Sequence, residues 1–82
     1  MKGQNTDKVL LDEIDKWTDR IKKDLARSKV KSDKGKEIMI NINAYISDSA
    51  HFKKNGDLVR SFEAIIWAWS WLEIGKELGQ LR

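Results

Sequence analysis

Histidine occurs once in this sequence, at position 51, and cysteine does not occur at all. Metal or acid–base chemistry would therefore have to gather around His51. Asp48 precedes it by three residues, which makes the two neighbours on a helix surface. A zinc-type site needs three or four converging ligands, and the sequence supplies no third one nearby. His51 also points away from the apolar stripe of its segment, so a solvated side chain is expected. Asp48 sits at the edge of that stripe, where it would pair with a lysine or accept a hydrogen bond from another helix. Glu63 and Glu73 lie on one segment, but ten helical residues separate them by ~15 Å. Paired-acid glycoside hydrolysis needs a closer approach. The run KSDKGKE lacks the first glycine and the Ser/Thr of a phosphate-binding loop. No catalytic residue, metal ligand or cofactor is assigned, and the chain is not expected to be an enzyme.

Two clusters remain. Arg20, Lys22, Lys23, Arg27, Lys29, Lys31, Lys34 and Lys36 crowd one stretch against Asp24 and Asp33, a local charge of +6 in a protein of net charge +3. Such a patch can face phosphate, which makes nucleic acid or a nucleotide a possible partner. It also has a plain structural reading. The preceding stretch, Asp7 to Asp19, carries a charge of −3, and acids at a helix start with bases at its end complement the helix dipole. The second cluster is Trp17, Trp67, Trp69 and Trp71. Trp17 and Trp69 fall on apolar stripes and are expected in the core. Trp67 and Trp71, four residues apart, either pack on the first helix or form a patch for a protein partner or a second copy, since tryptophan is frequent at binding hot spots.

Three segments must position these groups. Leu10, Ile14, Trp17, Ile21, Leu25 and Ser28 recur at spacings of three and four, with Thr6 or Asp7 as a cap and residues 1–5 unpatterned and frayed; this predicts a helix over 7–29. Ile38, Ile42, Tyr45, Ser49 and Phe52 predict a second over 34–55, capped by Ser32 or Asp33. Asn55-Gly56-Asp57 then reads as a stop and a start: Gly56 closes one helix in the left-handed conformation and Asp57 caps the next. So short a link predicts an antiparallel hairpin. The third helix, 57–78, has a core stripe at Leu58, Phe62, Ile65, Trp69 and Leu72. A second line of small residues, Ser61, Ala64, Ala68 and Gly75, lets another backbone approach. Only a narrow arc is polar, so more than one neighbour should cover it. Gly79 is the expected stop.

The 82 residues form a single domain, 1–82, of the all-α class, a three-helix up-and-down bundle with a tight hairpin at Gly56-Asp57. A chain this short buries only ~60–65% of its unfolded surface, so its margin is small. No apolar run approaches the ~18 residues of a membrane span. The N-terminal stretch has no signal-peptide core, and a cytoplasmic location is expected.

The residues Tyr45, Asp48, His51, Phe52, Gly56, Asp57, Ala64, Trp67, Ala68, Trp71, Leu72 and Gly75 carry a resemblance. Over 45–79 the chain resembles the archaeal domain-of-unknown-function family numbered 357, and more loosely back through Gly35. Glu73 stands where an aspartate is expected and Ser61 where an alanine is. The resemblance implies a three-helix bundle and an archaeal source, and it supplies no reaction or ligand. It groups Asp48 with Trp67, Trp71 and Glu73, which suggests that an indole N–H satisfies the Asp48 carboxylate. The expected role is a non-catalytic binding or assembly module, with a nucleic-acid- or nucleotide-associated protein using the basic patch 20–36 as the alternative.

Overall fold

The computed structural model describes residues 2–82, with side chains from Thr6 onward. Three helices follow one another: α1 Lys2–Arg27, α2 Asp33–Lys54 and α3 Leu58–Glu77. The expected start of α1 is corrected. The helix already runs at Lys2, so Thr6 and Asp7 lie inside it rather than at its cap. The stretch before Thr6 has no proline, and its one glycine weakens a helix without stopping it. Met1, also expected to be frayed, lies outside the described residues. At the other end α1 stops at Arg27, and Ser28 turns its hydroxyl back to the Asp24 carbonyl at 2.9 Å. Ser32, not Asp33, caps α2 by accepting from the Gly35 amide at 3.0 Å.

The tight link between α2 and α3 works as its residue types require. Gly56 has φ +80°, a conformation that costs any residue with a Cβ. The Gly56 amide reaches the Lys53 carbonyl (3.0 Å) and the Asp57 amide the Phe52 carbonyl (2.9 Å), which satisfies the open end of α2. Asp57 then accepts from the Arg60 amide at 3.2 Å and starts α3. Beyond the turn the small residues bring the backbones together. Ser49 and Ser61, both buried, exchange hydrogen bonds: Ser49 Oγ donates to the Ser61 carbonyl at 2.9 Å and Ser61 Oγ to the Ser49 carbonyl at 2.7 Å. Ala64, Ala68 and Gly75 continue the buried seam, with Ile38, Ile42, Ile65 and Leu72 filling the centre.

Helix α1 seats Ile14 and Ile21 in the core. Trp17 meets Trp69 edge to face, with centroids 5.7 Å apart, and the Trp69 indole donates to the Trp17 carbonyl at 3.1 Å. Ion pairs from Lys53 to Asp15 (2.5 Å) and from Lys76 to Asp24 (2.8 Å) tie α1 to each helix of the hairpin. After Gly79, at φ +73°, the chain turns back instead of trailing off. Leu81 is buried and pairs with Val30 in a single antiparallel bridge. Lys29 and Arg82 exchange backbone bonds (2.6 and 2.8 Å), Lys31 donates to Gln80 (2.9 Å), and the Ser32 hydroxyl meets the Gln80 side chain. Gly35 is required here by close approach, since a Cβ would strike the Gln80 carbonyl. The result is a rod of 48 × 17 × 17 Å.

Candidate binding face

The hairpin register decides which side chains meet. Measured outward from Gly56, Phe52 and Arg60 are each four residues away, Asp48 and Ala64 eight, and Tyr45 and Trp67 eleven. These steps are helical on both arms, so all six project on the same side of the α2–α3 seam. Together with Glu63 they line an open cleft of ≈ 290 Å³. No described side chain of α1 takes part.

Aromatic rings and carboxylates share this cleft. Tyr45 and Trp67 stack at 6.3 Å with planes 19° apart, yet Trp67 keeps 56% of its surface exposed. Trp71, one turn further, is partly buried and packs on the core. From Trp67 the same face of α3 continues through Ile74 and Leu78, at 41% and 62% exposure. Arg60 is engaged at one end: it pairs with Asp57 at 3.6 Å and lies over the Phe52 ring at 6.0 Å. Asp48 is exposed, and its side chain forms no hydrogen bond or ion pair among the described residues. The indole bond expected for it is not made. Tyr45 stacks beside Trp67, and the one indole bond described belongs to Trp69, on the other side of α3. The Glu63 side chain likewise has no partner among the described residues.

The remaining candidates lie elsewhere. His51 is exposed, with Nε2 3.1 Å from the Asn55 amide nitrogen, and it does not meet Asp48. Among the described residues no three His, Cys, Asp or Glu side chains are placed to hold a metal ion. All eight bases of the patch are exposed. Lys23 pairs with Asp19 (3.1 Å), Lys34 with Glu37 (3.5 Å) and Lys36 with Asp33 (3.8 Å). Arg20 lies over the Trp17 ring at 5.0 Å. Lys22 lines a smaller, more enclosed groove between α1 and α2. Among the described residues Arg27, Lys29 and Lys31 have no ion pair, and the backbones of Lys29 and Lys31 are held by the C-terminal tail. Among the described residues no helix is long and apolar enough to cross a membrane.

Spacing marks Trp67 and Trp71, and the family resemblance adds Asp48, but neither joins Tyr45, Phe52, Arg60 and Glu63 to them as walls of one cleft. The available signal was the symmetry about Gly56: once the turn is accepted, counting outward on both arms pairs Tyr45 with Trp67.

Comparison with known proteins agrees with this architecture. The family model described as "Protein of unknown function (DUF357)" matches residues 14–81. Among solved structures the chain is similar to the crystal structure of protein AF1782 from Archaeoglobus fulgidus, itself matched to the DUF357 model. The two share 44% identity over 94% of this chain and 96% of that one, at a TM-score of 0.84. No curated protein matches.

Proposed function

The chain belongs to the DUF357 family, whose description assigns no function, and from that premise we propose that it is a non-catalytic binding module that docks a partner protein on the open face of the α2–α3 hairpin. One observation carries the reading. Trp67 is stacked on Tyr45 and still more than half exposed, in a cleft that no described side chain of α1 lines. An indole held rigid by a neighbouring ring loses little conformational freedom on binding, and large aromatic side chains dominate interface energetics. The line Trp67, Trp71, Ile74, Leu78 follows spacings of four, three and four, which suits a partner lying along α3. The nucleic-acid alternative has less support, because three of its eight bases are already paired with acids and a fourth rests on a ring.

The test is a pull-down from the native host's lysate with the wild-type chain and with Trp67→Ala, each with and without nuclease. A protein held by the wild type, lost with Trp67→Ala and indifferent to nuclease is the expected result. Capture unaffected by Trp67→Ala refutes the reading. Capture abolished by nuclease favours the basic patch instead. Trp67→Ala removes an exposed ring and one stacking contact, so its stability should fall by only about 1 kcal/mol.

A further inference from the structure

We propose that the Tyr45–Trp67 cleft recognises a basic side chain, arginine or lysine, carried on an amphipathic segment of the partner protein. The proposal rests on the reading of this face as a docking surface and names the chemistry of what docks.

The charges of the cleft select the occupant. Asp48 and Glu63 both line it and their side chains have no partner among the described residues, while Arg60 is already matched by Asp57. The cleft therefore presents two uncompensated carboxylates beside two stacked rings. Aromatic faces carry negative quadrupole potential and attract cations. The chain answers the same chemistry internally at its other aromatic pair: Lys16 and Arg20 lie over the Trp17 ring at 5.3 and 5.0 Å. Among the described residues no cation lies over Tyr45 or Trp67, so that position is left for a cation from outside.

Other occupants fit less well. A purely apolar segment would strip water from Asp48 and Glu63 and leave them unpaired, which is costly. Phosphate-bearing ligands would meet the same two carboxylates. A free polyamine satisfies the charge but leaves Trp67, Ile74 and Leu78 uncovered along α3. An amphipathic segment covers that line and brings the cation.

The experiment is an NMR titration of the full chain with a short acetylated peptide of leucine and arginine. Controls are the same peptide with citrulline for arginine, which keeps the shape without the charge, and spermine. With the arginine peptide, the Trp67 indole and the Tyr45, Asp48 and Glu63 amides are expected to shift. The citrulline peptide should bind at least about tenfold more weakly. Asp48→Asn with Glu63→Gln should erase that preference, and a melt checks that this double variant is folded. Equal binding of the two peptides, or a preference that survives the double variant, overturns the cation proposal and leaves the docking face standing. Arginine-peptide binding that Trp67→Ala does not weaken overturns both. Failure of both peptides to bind also overturns the proposal. Equal shifts from spermine alone assign the site to a free cation, and shifts on concentrating the chain alone assign the face to a second copy; either result overturns it too.

Discussion

At the scale of single residues, the polar groups divide by burial. Ser49 and Ser61 lie in the seam between α2 and α3, where an unpaired hydroxyl would be penalised, and each donates to the other's carbonyl. Ser61→Ala should cost about 0.5–1.5 kcal/mol in a urea melt. Adding Ser49→Ala should cost less than the sum of the single changes, because the two hydroxyls form one network. Asp48 is the opposite case. Exposed and unbonded among the described residues, it should tolerate Asp48→Ala within about 0.5 kcal/mol. A clear drop in melting temperature would restore the structural role that spacing had suggested for it.

At the scale of elements, the hairpin depends on three consecutive residues. Gly56 supplies the positive φ and Asp57 the cap. Gly56→Ala should cost about 1–2 kcal/mol through backbone strain, since a Cβ there meets no neighbour that could clash. Asp57→Ala should cost about 1 kcal/mol and also free Arg60. Chemical denaturation of the two variants separates these effects from any change in fold, which circular dichroism follows. Helix α1, the loop after it and the first turn of α2 carry the basic patch, and pairs such as Lys23–Asp19 reduce its free charge. In filter binding at two salt concentrations, the expected outcome is no retention of nucleic acid even at low salt. Retention that fades as salt rises would instead mark counterion release at this patch.

At the scale of the whole molecule, helix α1 and the C-terminal tail are both tied to the hairpin. Helix α1 is held by core contacts, the Trp17–Trp69 contact and ion pairs to both hairpin helices, of which the exposed ion pairs contribute least. The C-terminal tail closes the other side of the first loop and inserts Leu81, only 2% exposed, into the core beside Gly75. Leu81→Ala should destabilise the protein by about 2–5 kcal/mol. In hydrogen exchange the amides of Lys29, Lys31 and Arg82 should lose protection together, because their bonds form one ladder with the tail. Independent loss at these three sites would show that the tail is not a cooperative part of the fold.

By itself, the sequence determined the three helices, the Gly56–Asp57 hairpin, the core stripes and the suspicion attached to Trp67. All of these rest on local physics: a period near 3.6, a glycine where φ is positive, an acid where amides lie open. The start of α1 escaped because nothing in its first residues forbids a helix, and capping preferences are weak where a helix can simply continue. Tertiary structure alone decided that Ser49 clasps Ser61, that Leu81 returns to the core, and that the Asp48 side chain has no partner among the described residues while Tyr45 stacks beside Trp67. Each joins positions from different elements, whose relative rotation follows from how closely the small residues let the backbones approach. Periodicity states which way a side chain points from its own helix; only packing states what it meets.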